Sequence, residues 1–213
     1  MDNPDQAGRR PGRGFVVVAA TCGALFLTIT LLVELHGRPA LDLEVARWTA
    51  AHRSRFGTDL FDVISYAGSV IGIIPASIVL SVYLYRRSGW ASVRWLWIAV
   101  GGATVIYLAT NLSFAVPRPP VELRALHETG WSFPSGHSTQ TVAFWIVTAV
   151  LLSVGRPRWV ARMFGALAVV MILLTGASRI YLDAHFPTDV AAGFSLGGMW
   201  CALVLAMRAA REV

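Results

Sequence analysis

Ser178-Arg179-Ile180-Tyr181-Leu182-Asp183-Ala184-His185-Phe186-Pro187-Thr188-Asp189 joins two of the most apolar runs in the chain, residues 160–177 and 187–207. Each run is long enough to cross a bilayer as a helix, so the stretch between them falls at a membrane border. Ionisable side chains are costly there and mark function. On a helix His185 and Asp189, four residues apart, share a face. A histidine oriented by a carboxylate is the recurring design of an activated nucleophile or base. Arg179 adds a forked cation that matches phosphate or carboxylate. The competing reading is a polar loop that happens to carry charge.

Composition supports the membrane setting. Of 213 residues, 55% are hydrophobic and 14% charged, against about 25% charged in soluble domains. The net charge of +6 comes wholly from arginine, because the chain has no lysine. The arginines punctuate apolar runs instead of forming a patch, which fits membrane orientation and argues against nucleic acid. Cys22 and Cys201 stand singly inside apolar segments and read as packing residues.

Outward from the quoted stretch, further apolar runs cover about 15–35, 60–85, 95–116 and 137–154. The expected fold is an all-α membrane protein, a bundle of six transmembrane helices. Residues 36–59 alternate Leu41, Val45 and Trp48 with Asp42, Glu44, Arg47 and Arg53, which predicts an interfacial amphipathic helix. Residues 1–14 read as a disordered basic tail, 15–207 as one domain and 208–213 as a C-terminal tail. With the N-terminus inside, eleven arginines (9, 10, 13, 86, 87, 94, 156, 158, 162, 208, 211) fall on the cytoplasmic side and seven on the other. The positive-inside bias therefore predicts cytoplasmic termini, with segments 117–136 and 178–189 together on the outer face.

Three polar segments meet on that face: Asn111 through Arg118-Pro119, Phe133-Pro134-Ser135-Gly136-His137, and the quoted stretch. Pro134 can open a helix without losing a bond. Ser135, Gly136 and His137 would then offer backbone N–H groups and the positive helix end to an anion. Gly136 allows close approach. Two arginines, a hydroxyl, N–H donors and two histidines suit metal-free transfer of a phosphoryl group, and no cofactor or metal is expected.

These segments resemble the three-part signature of the type 2 phosphatidic acid phosphatase superfamily, KxxxxxxRP, PSGH and SRxxxxxHxxxD, whose site is shared with vanadium haloperoxidases. Pro134-Ser135-Gly136-His137 matches the second part, and Ser178-Arg179, His185 and Asp189 match the third. Arg118-Pro119 matches the end of the first, while Asn111 stands at the lysine position. The resemblance implies His185 as the nucleophile that forms a phosphohistidine, Asp189 as the group holding its ring, and His137 as the general acid. It implies Arg118, Arg179, Ser135 and Gly136 as phosphate ligands, with Asn111 giving a neutral hydrogen bond where the family places a cation. Arg124 is a candidate substitute for the absent lysine, and Glu128 and Asp183 read as loop residues.

The implied protein is a bacterial plasma-membrane lipid phosphatase with its site outside the cytoplasm. Its partners are the bilayer and a lipid phosphate, namely a polyprenyl diphosphate, phosphatidylglycerol phosphate or phosphatidate. The alternatives are vanadate-dependent halide oxidation, which the spans disfavour, and a non-catalytic or weakly active lipid-phosphate-binding relative that has lost the lysine.

Overall fold

The computed structural model describes residues 12–211, and its regular elements there are all α-helices. They are α1 (Arg13–His36), α2 (Ala40–His52), α3 (Arg55–Gly68), α4 (Val70–Ser88), α5 (Trp90–Phe114), α6 (Gly136–Ser153), α7 (Arg158–Tyr181) and α8 (Pro187–Arg211). Residues 1–11 of the expected tail lie outside the described residues, and Arg13 already opens α1. At the other end α8 continues through Arg211, so 208–211 extend the helix.

Among the described residues five helices, α1, α4, α5, α7 and α8, are long and apolar enough to cross a membrane. α6 has 18 residues and opens with the polar run Gly136-His137-Ser138-Thr139-Gln140-Thr141. It is packed against α3, α4, α5, α7 and α8, so its polar turn faces protein instead of lipid.

Two expected elements are subdivided. The amphipathic segment 36–59 is broken at Arg53-Ser54, where Ser54 Oγ accepts the Gly57 N–H at 3.0 Å and starts α3. The apolar run 60–85 is broken at Ser69, which ends α3 by donating its N–H to the Tyr66 carbonyl and starts α4 by accepting from Gly72. A serine that caps in both directions ends one helix and begins the next within a single residue. Apolar length alone cannot reveal such a break.

Chain reversal from helix to helix gathers the ends of α1, α5 and α7 and the starts of α6 and α8 at one end of the bundle. The turns carrying Arg86, Arg87, Arg94, Arg156, Arg158 and Arg162 lie at the other, with Arg13, Arg208 and Arg211. Leu96, Ala99 and Val100 of α5, Val147 and Leu151 of α6, and Val204 of α8 form the central core. α8 crosses α6 through Gly193 and Gly197. A Cβ at Gly193 would lie 2.6 Å from the Ser135 carbonyl, and one at Gly197 2.5 Å from the Thr139 carbonyl. Only small residues let the two backbones approach this closely. Above the crossing, the Phe133 ring packs between Phe26 (6.2 Å between centroids) and Phe114 (5.8 Å). Burying such a side chain contributes about 1.5–3 kcal/mol, enough to fix the loop that enters α6.

Candidate active site

His185 sits in the short turn between α7 and α8 and is 3% exposed. Its Nδ1 lies 2.8 Å from the Ser132 carbonyl, which can only accept, so Nδ1 carries the proton. The Nε2 lone pair is left facing Arg118 Nη1 at 3.2 Å. Asp189, one helical turn further on, stands behind the ring with Oδ2 3.8 Å from Nδ1. Burial depresses the His185 pKa to about 4, and Arg118 and Arg179 add to the effect while Asp189 opposes it. The resting imidazole is therefore neutral, with its Nε2 lone pair free of a proton.

Asp189 is completely buried and fully engaged. Oδ2 accepts from Ser132 Oγ at 2.5 Å and from the Phe186 N–H at 2.9 Å, while Oδ1 accepts from Arg38 Nη1 at 2.6 Å. Its backbone carbonyl accepts the Ser135 N–H at 3.0 Å. That bond ties the Pro134–His137 turn directly to α8, and the Gly193 crossing makes room for it.

Arg118 is anchored on three carbonyls: Gly130 (3.1 Å) by Nε, Ala184 (2.7 Å) by Nη1 and Thr129 (3.1 Å) by Nη2. Arg179, 1% exposed, donates through Nη1 to Ser65 Oγ on α3 and through Nη2 to Glu128 Oε1 at 2.5 Å. Its Nε is buried with no hydrogen-bond partner among the described residues. An unpaired buried guanidinium N–H is costly, and a phosphate oxygen would satisfy it. Glu128 also approaches Arg118 Nη2 at 4.0 Å. Burial pushes its carboxyl upward, but the Arg179 and Arg118 guanidiniums outweigh that and hold it below the ordinary carboxylate range.

Ser135 caps α6, its Oγ accepting from Ser138 Oγ at 3.1 Å and from the Ser138 N–H. His137, in the first turn, is half-buried and within electrostatic reach of Arg179, His185 and Arg118. Gly136 lies under the phenol end of Tyr107, whose Cζ would be 2.5 Å from an added Cβ. Tyr107 in turn lies within electrostatic reach of Arg118, Glu128 and Arg179.

The structure thus gathers His185, Asp189, Arg118, Arg179, Ser135, Gly136 and His137 at one end of the bundle. Asn111, near the end of α5, borders this set. Its amide Nδ2 donates to the carbonyls of Trp131 (3.2 Å) and Phe133 (3.1 Å), so both of its N–H donors are committed to the loop that carries Ser132. In this arrangement the amide expected as a neutral phosphate donor fastens the loop. Arg124 likewise braces the loop, donating to the Pro119 carbonyl at 2.6 Å and the Glu128 carbonyl at 3.3 Å.

Three participants escaped the sequence reading. Ser132 precedes the Pro134 turn without any spacing rule to mark it. Glu128 has the sequence signature of a loop residue, yet it bridges the two arginines. Arg38, from the α1–α2 linker, reaches Asp189 across 151 positions of sequence. The available signals were an Arg-Pro pair at 38–39 and an arginine on the face where few are expected.

A membrane-type helical bundle closed at one end by a neutral histidine, a buried carboxylate and two converging guanidiniums defines a phosphate-handling membrane protein. The model of the PAP2 superfamily matches residues 92–212, and the chain belongs to that superfamily. Phosphatidylglycerophosphatase B of Bacillus subtilis is 26% identical over 176 residues, covering 81% of this chain and 85% of that protein. An undecaprenyl-diphosphatase of Sulfolobus acidocaldarius is 28% identical over 192 residues, covering 81% of this chain and 82% of its own. The crystal structure of a transmembrane PAP2-type phosphatidylglycerolphosphate phosphatase from Bacillus subtilis superposes with a TM-score of 0.84 at 23% identity, covering 90% of this chain and 96% of that one. At that identity the likeness concerns the fold.

Proposed function

We propose that this chain is an integral-membrane lipid phosphatase that removes a phosphate from a phosphorylated or diphosphorylated lipid through a phosphohistidine on His185, without a metal. A polyprenyl diphosphate is the first choice of substrate, followed by phosphatidylglycerol phosphate and phosphatidate. The observation that carries the reading is the His185 ring itself: Nδ1 is locked as a donor and Nε2 lies 3.2 Å from a guanidinium able to hold phosphate oxygens.

The steps follow from the groups present. Arg118, Arg179, the Ser135 hydroxyl and the N–H groups opening α6 clamp the nonbridging oxygens, where charge sits in the transition state. Nε2 attacks phosphorus, the N–P bond forms and the bond to the lipid-side oxygen breaks. The leaving oxygen takes its electron pair and a proton delivered through His137, whose ring the bound phosphate dianion charges. The phosphorylated ring becomes cationic with Nδ1 still protonated, and Asp189 and the Ser132 carbonyl stabilise that charge. Water, deprotonated by His137, then attacks phosphorus, releasing inorganic phosphate and the free ring.

Six spans are proposed, with α6 joining the five apolar helices and α2 lying at the interface. The arginine-rich end of the bundle, opposite the site, supports an orientation with both termini in the cytoplasm and the site outside it, in a bacterial plasma membrane. The test is phosphate release from a panel of prenyl and glycerol phosphates by purified protein in EDTA. Release and an acid-labile phosphoenzyme, both abolished in His185→Ala, are expected. Activity that EDTA removes, or that survives loss of His185, overturns the mechanism. A non-catalytic lipid-phosphate-binding relative would bind the panel without release.

A further inference from the structure

Asp189 is 0% exposed, and its histidine neighbour is neutral at rest. A buried carboxylate without a counter-cation is strongly unfavourable. The cation in contact with it is Arg38, at 2.6 Å. Arg38 lies outside all three signature segments, in the linker between α1 and α2.

The placement is built from several sides. Gly37, at φ 73, turns the chain after α1, and Pro39 opens α2. The Arg38 guanidinium lies 4.4 Å over the Phe186 ring. Nη1 also donates to Thr188 Oγ1 at 3.1 Å, and Nη2 to the Pro117 carbonyl at 3.2 Å. Asp42, on the first turn of α2, flanks it at 3.6 Å and accepts from the Thr188 N–H at 3.2 Å and hydroxyl at 2.5 Å. One side chain thus joins the residue before Arg118 to the first turn of α8.

We propose that Arg38 is a positioning residue of the phosphatase reaction: it keeps Asp189 ionised and aimed at the nucleophilic ring, and it ties that pair to the segment carrying Arg118. The proposal rests on the phosphohistidine reading above. The charged groups around the pair are Arg118 from the loop after α5, Arg179 from α7, Glu128 from the loop, His137 from α6 and Asp42 from α2. With Arg38 in place, the negative charge of Asp189 is shared between a permanent cation and the ring. Without it, Asp189 is balanced only by an imidazolium, so His185 holds its proton to higher pH and the neutral nucleophile is depleted.

The experiment compares Arg38→Gln and Arg38→Lys with wild type in detergent, using protein labelled with 15N-histidine. The His185 resonances are identified by their loss in His185→Ala. In Arg38→Gln the ring is expected to titrate at least about one pH unit higher and kcat to fall at least about tenfold, with KM within about threefold. Arg38→Lys keeps the charge and is expected to titrate with wild type while kcat falls less. Equal loss of activity in both variants with an unmoved titration means a structural role only and overturns the proposal. So does an Arg38→Gln protein with wild-type kcat. If wild type itself forms no phosphoenzyme, the phosphatase reading fails, and the titration still decides the electrostatic role of Arg38.

Discussion

Glu128 Oε1 lies 2.5 Å from Arg179 Nη2, and its other oxygen 4.0 Å from Arg118 Nη2. One loop carboxylate therefore spans both guanidiniums that a phosphate would need. A phosphate bound to these two cations would compete with it for Arg179 Nη2. Glu128→Gln removes that internal competitor while keeping the side chain's size. Inorganic phosphate is expected to inhibit the variant about three- to tenfold more tightly, corresponding to about 1 kcal/mol. Product-inhibition constants measured side by side check this, and weaker inhibition by phosphate would mean that Glu128 positions Arg179 instead.

The pH profile follows from His185. Burial lowers its pKa to about 4, so the neutral ring that the proposed mechanism requires is present above that value and lost as pH falls through it. The acid limb of kcat/KM set by the enzyme is expected near pH 4 instead of near the ordinary histidine value of about 6.5. A profile with a substrate whose own ionisation is known reads it directly. A limb near 6.5 would mean that the ring is far more solvated than the fold implies.

Asp183 makes an opposite contribution to stability. Burial raises its pKa to about 6 from 3.8, against the pull of Thr49 and Arg53. The folded state binds this proton more tightly than the unfolded chain does, so stability is favoured at low pH and declines as pH rises from 3.8 through about 6. Its φ of 50 suits asparagine equally well. Asp183→Asn is expected to remove that decline and raise the melting temperature at pH 8 by about 2–4 °C, equivalent to about 1 kcal/mol. Thermal scans of both proteins at pH 4.5 and pH 8 give the comparison, and a variant less stable at pH 8 would reverse the sign.

Gly193 tests the crossing that holds the site. An added Cβ meets the Ser135 carbonyl at 2.6 Å, while one at Gly165 meets nothing within 4 Å. Gly193→Ala is expected to move the start of α6 away from α8 and lower kcat at least about tenfold, because about an ångström of misplacement is that costly. Gly165→Ala is expected to leave activity unchanged. Equal rates in the two variants would show that the crossing does not set the site.

Asn111 decides how the missing lysine is read. Its amide holds the carbonyls of Trp131 and Phe133 at 3.2 and 3.1 Å. Asn111→Ala leaves two carbonyls short of donors and is expected to cost about 1–3 kcal/mol of stability, visible as a lower melting temperature, with kcat falling and phosphate inhibition little changed. A selective loss of phosphate binding would return Asn111 to the phosphate site.

Hydropathy and the short motifs carried much of this protein in the sequence. Apolar run length located the long helices because lipid tolerates little else, and the His185–Asp189 spacing survives in the fold because one helical turn separates them. Helix breaks were less visible. Ser69 divides one apolar run into α3 and α4 by capping, which leaves composition untouched. Asp189 was legible as a partner for His185, but Ser132 and Arg38, which hold its two oxygens, were not.

The amino-acid order by itself determined an all-helical membrane chain, its family motifs and the residue types of a phosphate site, because these depend on local periodicity and chemical identity. Tertiary structure alone decided that Ser132 sets the tautomer of His185, that Glu128 occupies the arginine pair, and that Arg38 neutralises Asp189. Those contacts join residues 53, 51 and 151 positions apart. No local rule spans such distances; they exist only once α7 is seated on α6 and α8 on α1 and α6.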